Sequence, residues 1–432
     1  MKPIPGQALV ALLLAFAVSP GAAAVRCHVL PNGLRVVLRE DHAFPTVAVN
    51  LVVKAGLRSE RPEENGISHF LEHMIFKGTK SRGKGQLQLE IEGLGGTLNG
   101  GTGRDFTRFY ASVGSRFLPQ ALCVLYDAVA NPSLERGEIV LERLVVMDET
   151  RARRDDPGAS LWELAYQEAY REHPYRRPIS GTQQTLAYLT QEALQAYHRE
   201  HYAARNMSLV LVGDFDTERT LRLVGQIFGG LAPGGASKER VGSEALSGIH
   251  RVDTVGRASS EHLLLAFAAP GADNWPEVAP ADLLLTILGT GYSSRLHRDL
   301  QTRQGVLRSV EVEYLTQRNR GLFGIIASCP PGAADEVMAL LLARAAELRE
   351  QPVPEAELAR AKRVLAAGYS FANESFADQA DTLGFYEAVG DYQMAIQYPR
   401  AIAAATAADL QAVARRYLDP QHYVLVRLHP ER

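Results

Sequence analysis

Two patterns of apolar and polar residues alternate along the chain. Short apolar runs predict strands, and longer stretches with one apolar face predict helices. Asn32-Gly33 lies between apolar residues and predicts a tight hairpin. The predicted strands lie at 29–38 (this hairpin), 46–53, 97–113 (two strands around a glycine-rich turn), 208–214, 261–268, 322–327 and 423–428. The predicted helices lie at 66–77, 86–94, 117–130, 135–154, 161–171, 190–201, 280–288 and 291–300, followed by three helical stretches between 333 and 417.

The second half of the chain repeats the first. A helix and the strand after it share residues at a constant offset of 216 positions, in the pairs Thr190/Thr406, Leu194/Leu410, Gln195/Gln411, Ala196/Ala412, Arg199/Arg415, Leu209/Leu425 and Val210/Val426. A constant offset across two elements indicates duplicated domains. We therefore predict an α+β fold of two homologous domains, each a largely antiparallel sheet with helices packed on it. The predicted domains are 25–230 and 249–432, joined by a Gly/Ala/Ser-rich linker at 231–248.

One predicted helix carries an unusual polar stripe. Residues 69–73 read HFLEH, which is H-x-x-E-H. At about 100° per residue, His69, Glu72 and His73 share one face, and the apolar residues occupy the opposite arc. Two neutral imidazoles one turn apart suit a zinc ion, and a neighbouring carboxylate suits a general base. The alternative is an ordinary helix with two chance histidines, and a third ligand elsewhere in the chain would decide between the two.

The helix predicted at 135–154 offers that third ligand. Glu142 and Glu149 are seven residues apart, so both project from one face within about 20°. Glu149 is the candidate third ligand, and Glu142 would lie behind it and support the site. The competing interpretation is that both are solvated surface carboxylates, which is the usual state of acidic residues on helices.

The glycine-rich stretch at 97–113 allows two interpretations. It can be a plain hairpin, with the glycines at its turn. It can also be an edge strand that pairs with an extended peptide, with glycines that allow close backbone approach. The residues alone favour neither.

These motifs together resemble the pitrilysin/insulinase/mitochondrial-processing-peptidase family of zinc metallopeptidases, the inverzincins. The blocks that carry the resemblance follow the family's order: LPNGLRVVL, GISHFLEHMIFKGT, GGTLN, ERLVVMDETRARRDDP and SLVLVGD. The resemblance implies one zinc ion per chain held by His69, His73 and Glu149, with Glu72 as general base and Glu142 supporting the ligands. It also implies a clam-like half-chamber that binds substrate as an added strand beside Asn99. Gly100 departs from the family's usual alanine, and we expect this change to be tolerated.

A second departure concerns partners. Family members often carry an arginine and, seven residues later, a tyrosine that bind substrate across the cleft. Gln301 and Arg308 occupy those positions here. The resemblance therefore implies the zinc-bearing subunit of a heterodimer, whose zinc-less paralogue supplies the Arg/Tyr pair. If Arg303 or Arg308 substitutes locally, a homodimer is the alternative.

The N-terminus predicts export. Lys2 precedes an apolar run at 8–18 and the A-x-A site at Ala22-Ala23-Ala24, so we expect a signal peptide at 1–24, cleavage near Ala24 and a periplasmic protein without stable membrane insertion. An uncleaved anchor is the alternative. The formal charge of −3 gives no indication of nucleic-acid binding. The three cysteines, Cys27, Cys123 and Cys329, are too widely spaced for a disulfide framework.

The expected function is a zinc endopeptidase that hydrolyses peptides or unfolded protein segments. One rival is a structural or processing-complex subunit that no longer cleaves. Another is a zinc-dependent peptide-binding protein, which would bind peptides without forming products.

Overall fold

The computed structural model describes residues 24–235 and 242–431 and contains two sheets. Residues 1–23 of the predicted signal peptide and 236–241 of the predicted linker lie outside this part of the chain. The first sheet has the order β1-β2-β6-β3-β5-β4, with β1 (Val25–Val29), β2 (Arg35–Glu40), β3 (Thr46–Val53), β4 (Thr97–Thr102), β5 (Thr107–Gly114) and β6 (Met207–Gly213). The second has the order β7-β11-β8-β10-β9, with β7 (Ile249–Gly256), β8 (Glu261–Ala269), β9 (Ser309–Tyr314), β10 (Gly321–Cys329) and β11 (Tyr423–Pro430).

Helices connect and cover these strands. In the first half they are α1 (Ile67–Ile75), α2 (Gln86–Gly93), α3 (Leu118–Ala130), α4 (Arg136–Asp155), α5 (Pro157–Ala169), α6 (Gln183–Tyr188), α7 (Gln191–His201) and α8 (Thr217–Phe228). In the second half they are α9 (Val278–Gly289), a π-helical segment (Leu296–Arg303), α10 (Ala334–Glu350), α11 (Glu355–Phe371), α12 (Phe376–Val389), α13 (Gln393–Ala404) and α14 (Ala407–Tyr417). No helix within the described ranges is long and apolar enough to cross a membrane.

The structure confirms the α+β fold with two homologous domains. Thr190 and Thr406 are the N-caps of α7 and α14, and their side chains accept hydrogen bonds from the backbone N–H groups of Ala193 and Asp409. The following strands, β6 and β11, each pair in parallel with β2 or β7 and antiparallel with β3 or β8. Each sheet is otherwise antiparallel. The offset of 216 residues therefore relates elements with the same position in the two sheets.

The two halves exchange a helix. Helix α5 packs on β8 and β11 of the second sheet, through buried residues that include Leu161 and Ala165. Helix α12 packs on β3 and β6 of the first sheet, through residues that include Ala380 and Leu383. The predicted domain boundaries stay a prediction, and this packing crosses them.

Two expectations about the second half are wrong in detail, and two of its strands were not predicted. Five helices, not three, lie between 333 and 417, because the breaks between them are short and two are marked only by the N-caps Ser375 and Thr406. Strands β7 and β9 have no apolar run, because each lies at a sheet edge and alternates exposed with more buried residues. The helix expected at 291–300 begins at Leu296 and is π-helical. Cys27, Cys123 and Cys329 are all free.

Candidate metal and catalytic site

Helix α1 has the predicted two faces, and a buried carboxylate fixes its start. The Glu60 carboxylate accepts hydrogen bonds from the backbone N–H groups of Gly66, at 2.8 Å, and Ser68, at 3.0 Å. It also accepts one from the Asn65 side chain, at 3.1 Å. These contacts satisfy donors that the first turn leaves without intrahelical partners. The apolar face is fully buried and comprises Ile67, Phe70, Leu71, Met74 and Ile75.

Helix α4 brings Glu149 to α1. Its buried face consists of Ile139, Glu142, Val146 and Thr150, spaced at three and four residues, and this face packs against α1. Pro157, at the first position of α5, ends α4 just after the site. The buried face of α4 packs in the core, and this packing fixes where the helix presents Glu149.

The three predicted ligands meet. The Glu149 Oε2 atom lies 3.5 Å from His73 Nε2 and 3.8 Å from His69 Nε2. One ligand atom from each of the three residues lies within 4.8 Å of the others, and this is the only such His/Cys/Asp/Glu group found in the described residues. Tetrahedral zinc, with bonds of about 2.0–2.2 Å, holds its ligand atoms roughly 3.4 Å apart. The donor set and spacing fit a zinc ion.

The two imidazoles differ in protonation. Burial, followed by the charges of His73 and Arg153, lowers the pKa of His69 to about 3. His69 is therefore neutral near pH 7, as a metal ligand must be. Burial also acts to lower the pKa of His73, but its hydrogen bond to Glu142 and the nearby carboxylates leave that pKa raised. A proton and a metal ion would thus compete for His73.

Glu142 lies behind His73, whereas the sequence placed it behind Glu149. Its Oε1 atom lies 2.8 Å from His73 Nδ1, and Lys77 Nζ lies 2.6 Å from its Oε2 atom. Burial acts to raise the pKa of Glu142, but these two hydrogen bonds outweigh it and leave the pKa lowered. An ionised Glu142 accepts a hydrogen bond from the Nδ1–H group, which keeps the proton on Nδ1 and leaves His73 Nε2 free to bind a metal. Lys77 was not predicted.

Glu72 is held by a residue that the sequence did not single out. Thr102, the last residue of β4, donates a hydrogen bond to Glu72 Oε2 at 2.9 Å. Burial raises the pKa of Glu72. The only signal for Thr102 was its place in the glycine-rich strand that includes Asn99.

Strand β4 is both the outer strand of a hairpin and the edge of the first sheet, so the two interpretations of this stretch describe one structure. Asn99 is exposed, and its Oδ1 atom accepts a hydrogen bond from the Gly100 N–H at 2.8 Å. Gly100 lies against α1 and the residue after it: a Cβ there would lie 2.9 Å from Phe76 Cε2 and 3.2 Å from Glu72 Cγ. The glycine therefore relieves a close approach to α1.

A cavity of about 510 Å³ joins these groups. Helix α1 supplies His69, Glu72 and His73. The other lining residues are Gly100, Gly101 and Thr102 of β4, Glu149, Ala152 and Arg153 of α4, and Ile179 and Ser180. Glu142 lies behind the cavity, and Asn99 is not part of its lining.

In the second half, the side chains at the Arg/Tyr positions are held locally. Gln301 donates a hydrogen bond to the Arg308 carbonyl at 2.9 Å. The Arg308 guanidinium donates to Ser260 Oγ and to the Ser259 carbonyl. Arg303 forms an ion pair with Asp299 at 3.4 Å. Both arginines that could substitute for the missing pair therefore have partners of their own.

Comparison with known families decides the identity. The family model described as Insulinase (Peptidase family M16) matches residues 35–183, and the one described as Peptidase M16 inactive domain matches residues 188–365. This chain belongs to peptidase family M16. The H-x-x-E-H helix and the third ligand both lie within the first match.

Several known proteins are similar to this M16 chain over most of its length. An uncharacterized zinc protease of Rickettsia felis is 31% identical, covering 84% of this chain and 87% of that protein. The beta subunit of the mitochondrial-processing peptidase of Blastocladiella emersonii is 28% identical, covering 93% of this chain and 88% of that protein. A protease from Helicobacter pylori shares the fold, with a TM-score of 0.89 at 24% identity, over 94% of this chain and 100% of that one. The family resemblance predicted from the sequence is thus confirmed.

Proposed function

We propose that this M16 protein is a zinc-dependent endopeptidase that cleaves peptides or unfolded protein segments. The observation that carries the proposal is the meeting of His69, His73 and Glu149 in the cavity that also contains Glu72. A chain that had only kept the fold would not need this donor set together with a buried, oriented carboxylate.

The residues divide the work as follows. A zinc ion, when bound by His69, His73 and Glu149, supplies Lewis acidity and lowers the pKa of water towards about 7. Glu72 accepts a proton from the attacking water and delivers it to the leaving amine. Thr102 keeps the Glu72 carboxylate turned towards the cavity.

The substrate would bind as an extended strand. Strand β4 is the edge of the first sheet, and its residues 100–102 line the cavity. A peptide that pairs with this edge passes directly over α1. Only an extended or unfolded segment can present its backbone in this way, so folded proteins are poor substrates.

Glu72→Gln tests the proposal. The variant keeps the three metal ligands, so it should bind zinc as the wild type does while cleavage of a peptide library falls by at least about a thousandfold. Glu92→Gln, an exposed carboxylate on α2, is the matched control. Unchanged turnover by Glu72→Gln would contradict the proposal.

A non-catalytic subunit is the second candidate. The description "inactive domain" of the family model that matches the second half favours it. Metal analysis of the purified protein separates the two, because absence of zinc favours the non-catalytic subunit. Zinc and peptide binding without products would indicate a peptide-binding protein instead.

We also propose that the active form is a heterodimer with a zinc-less paralogue bearing the Arg/Tyr pair. Gln301 and Arg308 support this, because neither offers a free arginine to substrate. One relative is named as the subunit of a processing peptidase. The chain purified alone should have weak activity and gain activity from the paralogue. Full activity of the chain alone, or as a homodimer, would contradict the heterodimer.

We further propose that residues 1–24 are a signal peptide and that the protein is periplasmic. The charged start and apolar run support this. N-terminal sequencing of protein from the native host should begin near Val25. Retention of Lys2 in the purified protein would contradict cleavage.

A further inference from the structure

Arg153 is a positive charge in the cavity that the proposed mechanism does not use. It lies four residues after Glu149 on α4, so it projects from nearly the same face of the helix. Its exposed side chain lines the cavity together with the three metal ligands and β4.

Arg153 has no partner of its own among the residues that the structure describes. Arg151, two residues earlier and so on nearly the opposite face of α4, pairs with Asp148 at 3.0 Å. No carboxylate lies within ion-pair distance of Arg153, and no hydrogen bond from its guanidinium is found in residues 24–235 and 242–431.

No acidic group around Arg153 forms an ion pair with it in the described residues. Glu149 points at the two histidines, and Glu72 accepts the Thr102 hydroxyl. Burial raises the pKa of Glu163, on α5, and the charges of Arg154 and Arg153 act against this rise without an ion pair. Arg153 therefore presents a guanidinium without an ion-pair partner to whatever enters the cavity.

We propose that Arg153 binds a carboxylate of the substrate, on an Asp or Glu side chain close to the scissile bond, and so selects acidic peptides. The proposal rests on the proposed peptidase function. Helix α4 and strand β4 both line the cavity, so a side chain projecting into it from a peptide paired with β4 can reach Arg153. A guanidinium binds a carboxylate through two parallel hydrogen bonds. Such a contact would select both the negative charge of the peptide side chain and its position relative to the cleaved bond.

Matched peptides test the proposal. Short fluorogenic peptides of neutral residues would carry Glu, Gln or Lys at one position, moved in turn along both sides of the cleaved bond. At one position the wild type should prefer Glu over Gln by about five- to tenfold in kcat/KM, as expected for a partly exposed charge-assisted contact.

Two variants and a control locate the effect. Arg153→Gln should reduce the Glu/Gln ratio to about 1, and Arg153→Glu should shift the preference to Lys at the same position. Arg151→Gln, which alters a paired arginine outside the cavity, should keep the wild-type ratio. A wild-type ratio near 1 at every position would overturn the proposal, as would an equal loss on the Glu and Gln peptides in Arg153→Gln.

Binding measurements separate this proposal from the function on which it rests. The same labelled peptides would be titrated into zinc-loaded Glu72→Gln and into its double variant with Arg153→Gln. Tighter binding of the Glu peptide that disappears in the double variant supports Arg153 even if the wild type cleaves nothing, in which case only the peptidase proposal fails. Equal binding of Glu and Gln peptides overturns the role of Arg153 even if cleavage is normal.

Discussion

The duplicated halves place a helix between corresponding strands, and the two helices differ in chemistry. In the first half, α1 turns His69, Glu72 and His73 towards a cavity. In the second half, α9 is buried on nearly every side, and its only ionisable residue is Asp282, which accepts a hydrogen bond from Tyr398. The fold therefore needs only an apolar helix at this place. The polar stripe of α1 is an addition that serves function.

The edge strands β4 and β9 also differ between the two halves, in the charge that they carry. Strand β4 reads TLNGGT and carries no charge, whereas β9 reads SVEVEY and exposes Glu311 and Glu313. Charged side chains on an edge strand discourage pairing with another strand. The first half therefore combines an uncharged edge strand with the His/His/Glu group, and among the described residues of the second half neither feature is found.

Removal of a proposed metal ligand should have the largest effect on activity. His69→Ala leaves two ligands, so we expect loss of zinc and at least about a thousandfold loss of kcat/KM. Asp282→Asn, which changes the one ionisable residue of α9, should keep zinc content and activity. Metal analysis and peptide turnover of both variants measure the difference. Equal effects of the two substitutions would contradict the assignment of the metal site to α1 alone.

Glu142→Gln should have the next largest effect. The amide can still occupy the site, but it no longer provides the negative charge that holds the proton on His73 Nδ1 and pairs with Lys77. We expect zinc affinity to fall by about 10- to 100-fold, as measured by competition with a chelator. Glu138→Gln, one turn earlier on the same helix, is the control, since it pairs with Lys84 instead. Unchanged affinity would mean that Glu142 is structural only.

The two exchanged helices, α5 and α12, differ in how they are attached to the sheets that they cover. A substitution at Glu387 tests this difference. The fully buried carboxylate of Glu387 joins α12 to the first sheet through Arg35 at 2.6 Å and Lys54 at 2.8 Å. Helix α5 instead packs on the second sheet mainly through apolar and aromatic residues, with one partly exposed pair between Glu168 and His250 at 3.7 Å.

We expect Glu387→Gln to lower the free energy of unfolding by about 2 kcal/mol in urea titrations, because it removes the anion that pairs with Lys54 and leaves Arg35 only its more distant partner Asp391, at 3.3 Å. Asp378→Asn, at the exposed start of α12, should cost less than half as much. An unchanged midpoint would show that apolar packing alone holds α12.

The stabilisation by Glu387 should depend on pH, because it requires the ionised carboxylate. Burial acts to raise its pKa, but the hydrogen bond from Arg35 and the interactions with Lys54 leave it below the ordinary value of 4.5. A lowered folded-state pKa adds stability above about pH 4.5 that is lost as the pH falls. The wild type should therefore lose its advantage over Glu387→Gln on acidification. A constant difference between pH 7 and pH 3 would contradict this account.

Thr102→Val should cost about tenfold in kcat with little change in KM, because it removes the hydrogen bond that orients Glu72 without altering the shape of the strand. Thr102→Ser should restore most of the rate. Thr97→Val, at the exposed start of the same strand, is the control. Failure of serine to restore the rate would argue for packing instead of orientation.

The constant offset of 216 residues was enough to predict the duplicated α+β fold. Helical periodicity placed His69 and His73 on one face and offered Glu149 as a candidate, and the family resemblance implied that the three residues act together. The support around them could not be predicted in this way. Glu60 caps α1 from a loop, and Thr102 reaches Glu72 from a strand, so both act across the fold with no spacing rule to reveal them. The exchange of α5 and α12 was also hidden, because an apolar face does not specify which sheet it covers.

The smallest expected effect separates two neighbouring glycines of β4. An added Cβ at Gly100 would lie 2.9 Å from Phe76 Cε2 and 3.2 Å from Glu72 Cγ, whereas one at Gly101 would approach only Arg108 Nε, at 3.6 Å. Alanine at position 100, the residue usual in the family, therefore requires a small movement of the Phe76 ring. We expect Gly100→Ala to lower kcat/KM by about two- to threefold and Gly101→Ala to leave it unchanged. Equal losses would mean that strand flexibility matters here, and that the close approach to α1 does not.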